Sequence, residues 1–279
     1  MTTNTTTPTA LEVIRDVPRG HFKHVLFDFD GTISLMREGW QRIMGPVMIE
    51  MICGDTQPTP EIEAEVEAFI DDTTGVQTIL QMEGLIELVR KHGRVPEDQI
   101  LDAHGYKEIY NDRLMVPVRE RIARLESGEL SVEDATVRGS IPFVQGLAER
   151  GLTLYLASGT DHDDVVNEAT KLGVAQYFNG GIYGALRTYE ESNKEKVIQQ
   201  IIADHDLHGT EVLVCGDGPV ELRNAKDNGC VALGVASDEV KGSGWDQAKC
   251  GRLKKAGADL LVPDFAEHEA LLTYLFTAE

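Results

Sequence analysis

Cysteine is scarce in this sequence, and basic residues are outnumbered. The four cysteines, Cys53, Cys215, Cys230 and Cys250, show no CxxC or other metal-ligand spacing. Cys215 and Cys230 lie in apolar, strand-like surroundings, so reduced structural thiols are the expectation. Lysine and arginine together number 26 against 47 aspartates and glutamates, a formal charge of −21. That balance opposes binding to nucleic acid or an anionic membrane. It also repels an anionic substrate at long range, so any phosphate site has to rely on local cations and amide groups. No apolar run approaches the roughly 20 residues that span a bilayer. No basic-then-apolar leader is present either. The expectation is a cytoplasmic protein, monomer or homodimer, without membrane or nucleic-acid partners.

What is present is an ordinary globular composition, 42% hydrophobic and 26% charged, in 279 residues. That length suits one large core, or a core with a smaller insertion. The stretch KHVLFDFDGT, Lys23 to Thr32, organises the rest. Val25, Leu26 and Phe27 form a continuous apolar run, as in a strand buried on both faces of a parallel sheet. The run stops at two acids one residue apart, Asp28 and Asp30, followed by a Gly-Thr turn. Alternation along a strand puts both acids on one side and Phe29 on the other. Two carboxylates so placed need a cation between them or a shared proton. Mg²⁺, a hard cation that prefers oxygen ligands, satisfies that need, leaving Asp28 ionised as a nucleophile and Asp30 free to carry a proton.

Residues 1–20 read as a disordered or extended tail, its first ten residues rich in threonine. Residues 35–135 show helical apolar spacing in several blocks, separated by turn sequences at 54–58, 71–75 and 93–96. From Ile141 onward strand and helix alternate: strands near 152–157, 211–215, 231–235 and 259–262, with helices near 142–150, 162–172, 193–205, 220–228 and 266–277. The fold expected is α/β, a three-layer Rossmann-like parallel sheet over 21–34 and 136–279 with an all-helical block inserted at 35–135.

Two other strand ends are polar. Val212 to Cys215 runs into Gly216-Asp217-Gly218-Pro219-Val220-Glu221, where Asp217 suits a metal ligand and Glu221, one helical turn on, can bind the metal or orient its water. Ser158, with Gly159 beside it, closes the strand at 152–157, and its hydroxyl and nearby amides can grip phosphoryl oxygens at a helix start. Asp161 or Thr160 can cap the helix that follows. Lys194 or Lys196 opens a helix at the end where its charge opposes the dipole, which suits a cation serving a phosphorylated aspartate.

The ordered series DFDGT at 28–32, Ser158 after an apolar strand, Lys194 and GDGPVE at 216–221 resembles the haloacid dehalogenase superfamily over the chain after residue 20. The helical block is similar to that family's C1-type cap. The resemblance implies Asp28 as nucleophile, Asp30 as general acid and base, Ser158 and Lys194 as phosphoryl holders, and Mg²⁺ held by Asp28, Asp217 and the backbone carbonyl of Asp30. It implies Lys194 rather than Lys196, from the spacing to Val197 and Ile198. Glu221 replaces a frequent aspartate, and Glu195 replaces a proline. The second acid favours phosphate-ester hydrolysis, since relatives acting on haloacids lack it and those acting on phosphonates commonly replace it.

Specificity then belongs to the helical block. Arg37, Glu38 and Trp40 follow the catalytic loop closely, and Thr74 and Gln77 open a helix; Arg37 and Gln77 suit a polyhydroxylated or anionic leaving group. The expected activity is a Mg²⁺-dependent phosphomonoesterase acting on a small phosphate ester, a sugar or polyol phosphate first. A phosphomutase and a non-catalytic phosphate-binding module are the alternatives. His162, His205 and His208 show no ligand spacing, and residues 237–255 read as a loop and helix near the site rim with no clear role.

Overall fold

The computed structural model describes residues 8–185, 194–241 and 243–277. The central strand, β2 (His24–Phe27), is wholly buried. Parallel strands flank it on both sides: β3 (Thr153–Asp161) pairs Leu156 with Phe27, and β5 (Val212–Gly216) pairs Cys215 with Phe27. β4 (Gly181–Ala185) continues the sheet beyond β3, and β6 (Val231–Val235) and β7 (Leu260–Val262) continue it beyond β5. An antiparallel edge strand β1 (Glu12–Val13) completes the order β1-β7-β6-β5-β2-β3-β4 among the described residues. Because the chain leaves β2 for one side and later returns to the other, β2 sits at a switch point, where the carboxyl ends of parallel strands leave a crevice for a ligand.

Alternation along the strands builds the two apolar layers. Val25 and Phe27 enter one cluster with Phe143, Val144, Val165 and Leu272, from α5 (Ser140–Glu149), α6 (His162–Lys171) and α10 (His268–Phe276). Leu26 enters the opposite cluster with Ile198, Leu222 and Leu253, from α7 (Lys194–His205), α8 (Pro219–Asp227) and α9 (Gln247–Ala256). Helices thus cover both faces, as the alternating sequence pattern implies.

Between β2 and α5 lie α1 (Gln41–Cys53), α2 (Pro60–Asp72), α3 (Thr78–His92) and α4 (Ala103–Ser127). They bury an apolar cluster of their own, with Met44, Met48, Ile62, Val66, Leu85, Val89, Tyr110 and Leu114. Local signals delimit the helices: Pro60 in the first turn of α2, and Asp102 accepting from the Gly105 N–H at 2.8 Å to cap α4. The block's entry and exit run side by side, with Leu35 N–H donating to Ala135 O and Val137 N–H to Ile33 O, both at 2.9 Å. No helix among the described residues is long and apolar enough to cross a membrane.

Of the tail expected as disordered or extended at 1–20, the described part from residue 8 is held on the core: Thr9 and Ala10 bond to Glu267, and Glu12–Val13 pairs with β7; residues 1–7 lie outside the described part. Two expectations need correction. β3 continues to Asp161 through a register irregularity after Ala157, so Ser158 lies within the strand rather than at its end. Neither Thr160 nor Asp161 caps α6 with its side chain; Thr160 bonds Asp30 and Asp161 pairs with Lys107, because a carboxylate and an ammonium face them across the site.

Gly139 precedes α5 with φ +74°, and a Cβ there would lie 2.1 Å from the carbonyl oxygen of Phe265. Both the conformation and the space exclude a side chain. Gly139→Ala is expected to lower the unfolding free energy by more than about 1 kcal/mol in a urea melt; an unchanged midpoint would contradict this packing.

Candidate active site

At the end of β2 the Asp28 N–H donates to Cys215 O at 2.9 Å, which fixes the first acid against β5. The chain then folds over itself, Ile33 and Ser34 N–H both reaching Phe29 O at 2.8 and 2.9 Å. Gly31 has φ +76°, and a Cβ on it would meet Asp217 Oδ2 at 2.2 Å. The turn therefore requires glycine, because the Asp217 carboxylate occupies the space beside it. Thr32 donates its hydroxyl to Asp217 Oδ1 at 3.4 Å rather than closing its own turn.

Asp28, Asp217 and Glu221 are buried, and each offers a carboxylate oxygen within 4.8 Å of the others. The Lys194 ammonium lies 2.6 Å from Asp28 Oδ1 and 3.4 Å from Glu221 Oε2. Burial pushes the Asp28 carboxyl up, against the pull of Lys194. Burial alone would lower the Lys194 pKa, but Asp28 and Glu221 outweigh it and the net shift is upward, so Lys194 is a fixed cation. Lys196 is exposed. Glu221 also accepts the Gly218 N–H at 2.6 Å, so it closes the α8 start as well as facing the cluster.

The Asp30 carboxylate turns another way. Its Oδ2 accepts from Thr160 Oγ1 at 2.9 Å and Ser158 Oγ at 3.2 Å. Its Oδ1 is buried without a hydrogen-bond partner. Burial raises the Asp30 pKa, more than Arg37, Thr160 and Ser158 lower it. Burial raises both acids, and what distinguishes them is their partners: Asp28 faces the Lys194 ammonium, and Asp30 faces two hydroxyls. A carboxylate paired with a fixed cation beside a carboxyl held by hydroxyls suits a nucleophile and an acid.

Of the residues expected to read the substrate, Gly159 lies beside Val76, whose carbonyl oxygen is 2.9 Å from where a Gly159 Cβ would be. Thr74 lines the cavity, though its hydroxyl donates to Ile70 O at 2.9 Å. Gln77 lines an adjoining chamber with Leu80, Ser158 and Lys194. Arg37 is not a free anion holder: its guanidinium binds Glu168 Oε1 at 2.7 Å and Asp164 Oδ2 at 3.1 Å, with Nε 4.0 Å from Asp30 Oδ1. Burial holds the Glu168 carboxyl up at about 7 against the pull of Arg37. Glu38 is engaged by Arg121 at 2.9 Å. Trp40 both packs on the helical block's core and lines a cavity of about 80 Å³. That cavity also has Thr78, Gln81, Tyr110, Thr160 and Glu239 in its wall. Thr78, Gln81, Tyr110 and Glu239 carry no local signal for a site in the sequence, and Thr160, next to Ser158 and Gly159, reads there only as a helix cap.

A family model for haloacid dehalogenase-like hydrolases matches residues 22–229. The chain belongs to that hydrolase family. No curated protein matches it. Among solved structures, a predicted phosphoglycolate phosphatase from Haemophilus somnus is similar, with TM-score 0.59, 15% identity, and 90% of this chain and 98% of that one covered. A β-phosphoglucomutase from Clostridium difficile gives TM-score 0.58, 12% identity and coverage of 92% and 100%. A phosphonoacetaldehyde hydrolase-like protein from Oleispira antarctica gives TM-score 0.62, 12% identity and coverage of 94% and 95%. At such identities the likeness carries the fold, and the choice among chemistries falls to the site residues.

The cluster Asp28, Asp217 and Glu221 offers oxygen donors alone, with neither histidine nor cysteine among them. That donor set fits a hard divalent cation in this hydrolase rather than zinc.

Removing one partner of a buried ion pair leaves an uncompensated charge. Arg37→Met is therefore expected to cost about 3–5 kcal/mol of stability, read by chemical denaturation. A loss below about 1 kcal/mol, the range of exposed pairs, would contradict a structural role for the Arg37–Glu168 pair.

Proposed function

We propose that the protein is a Mg²⁺-dependent phosphomonoesterase that works through a phosphoryl group carried on Asp28. The observation that carries this reading is the difference in partners between the two acids: Asp28 against the Lys194 ammonium at 2.6 Å, and Asp30 accepting from the Ser158 and Thr160 hydroxyls. Asp28, Asp217 and the Asp30 carbonyl would hold the cation, with Glu221 beside them; when bound, it offsets the repulsion between carboxylate and phosphate.

The Asp28 carboxylate attacks phosphorus, forming the bond to the aspartyl oxygen as the bond to the ester oxygen breaks. Asp30 delivers its proton to the departing alkoxide. Ser158 and Lys194 hold the phosphoryl oxygens through both steps. Asp30 then takes a proton from water as that water attacks phosphorus, releasing phosphate and restoring both acids to their starting states. A departing alkoxide needs this proton, and Asp30 meets the need in hydrolysis of a phosphate ester.

The helical block serves as the cap over the leaving group. Supporting this, Lys107 on α4 pairs with Asp161 at the end of β3. Gly75 approaches Glu221 so closely that a Cβ there would lie 2.6 Å from Oε2. The described cations lining the cavity are Arg37 and Lys194, and Arg37 is already balanced by Glu168 and Asp164. Trp40, Thr78, Gln81 and Tyr110 add uncharged polar groups to the wall, beside Val76, Leu114 and the carboxylate of Glu239. These features suit a small, neutral, hydroxylated leaving group, a sugar or polyol, over one bearing a second phosphate.

Phosphate release from sugar, polyol, nucleotide and amino-acid phosphates, assayed with Mg²⁺ and with EDTA, tests the reading. We expect Mg²⁺-dependent turnover of sugar or polyol phosphates and a loss of at least about 10³-fold in Asp28→Asn. A requirement for a bisphosphate activator would point to a mutase, and release that survives the substitution would sink the mechanism.

A further inference from the structure

The segment 237–255, unassigned from sequence, delivers a second buried ammonium to the carboxylate cluster. Lys249 is the third residue of α9, where a positive charge opposes the helix dipole. Its backbone N–H donates to the capping Asp246 Oδ1 at 2.9 Å. The side chain, 6% exposed, turns inward: Nζ lies 2.9 Å from Asp217 Oδ2 and 2.6 Å from Glu239 Oε1. An unfavourable helix position and burial both argue against a lysine here unless its partners need the charge.

Those partners are held in place. Ser237 and Trp245 form an isolated bridge, Asp238 N–H donates to Gly244 O at 3.0 Å, and Ser237 Oγ reaches Gly31 O at 3.3 Å. Glu239 is thereby pinned between Lys249 and the cavity wall. Asp217 is gripped at both oxygens, Oδ1 by the Thr32 hydroxyl and Oδ2 by Lys249. Lys194 serves the Asp28 and Glu221 side of the cluster, and Lys249 serves the Asp217 side. Four carboxylates, those of Asp28, Asp217, Glu221 and Glu239, face two ammonium groups.

We infer that Lys249 is a positioning residue, oriented by Glu239, that fixes the Asp217 carboxylate in the geometry a divalent cation needs. The inference rests on the divalent-cation reading above. The lysine costs some attraction for the cation by its charge, but it removes the rotational freedom of a ligand that would otherwise swing away from Asp28 and Glu221. Groups that orient metal ligands in this way typically contribute 10–100-fold in metal affinity.

The test is calorimetric titration of Mg²⁺ into the full chain without substrate, comparing wild type with Lys249→Met, Lys249→Arg and Glu239→Gln, alongside melting curves in EDTA and in Mg²⁺. Lys249→Met is expected to weaken Mg²⁺ binding about 10–100-fold, with activity recovering as Mg²⁺ is raised. Lys249→Arg is expected to keep most of the affinity. If Lys249→Met does not fold, Glu239→Gln carries the test: weaker Mg²⁺ binding with an unchanged melt in EDTA supports the role. Equal or tighter Mg²⁺ binding in the folded variants overturns the inference while leaving the cation reading intact. A wild type that does not bind Mg²⁺ overturns both.

Discussion

Mutual repulsion among Asp28, Asp217 and Glu221, whose carboxylate oxygens come within 4.8 Å of one another in a buried place, is the constraint that the surrounding structure answers. Such crowding is costly unless cations and hydrogen bonds compensate it. Lys194 reaches in from the start of α7 and Lys249 from the start of α9. Gly31 clears room for Asp217, and the Gly218 amide holds Glu221. Asp30 is led away from the cluster by Thr160 and Ser158, which leaves it able to hold a proton.

The sheet makes this arrangement possible. Pairing β2 between β3 and β5 aligns three strand ends, so that residues far apart in the chain meet without long loops. The apolar clusters on both faces fix those strands, and the rigidity passes to the side chains just beyond them. The helical block is inserted immediately after the catalytic turn, through two connections that run side by side, and it brings Gly75 and Val76 onto the site.

Much of this was legible in the sequence because the signals are local. Buried parallel strands read as apolar runs, and the polar residues that stop them mark one edge of the sheet. β1 escaped notice because its two residues, Glu12 and Val13, are exposed and carry no alternation. Arg37 reads as a substrate contact from sequence, since nothing near it in the chain reveals Glu168, 131 residues away. Lys249 carries the same anomaly that drew attention to Lys194, a lysine in the first turn of a helix. Its partner Asp217, 32 residues earlier, becomes evident only once β5 and α9 are placed together. Thr160 and Asp161 both read as caps because a hydroxyl or carboxylate before a helix usually is one, and here a buried acid competes for the Thr160 hydroxyl.

The account stands on phosphoryl transfer to Asp28, and the most direct measurement is to catch it there. Rapid acid quench of the enzyme during turnover of a phosphate ester, followed by peptide mass mapping, should find an acid-stable, hydroxylamine-labile phosphoryl group on Asp28. The adduct should accumulate further in Asp30→Asn, which lacks the base that activates water. Turnover with no adduct on Asp28 in either protein, or an adduct on another residue, would contradict the account.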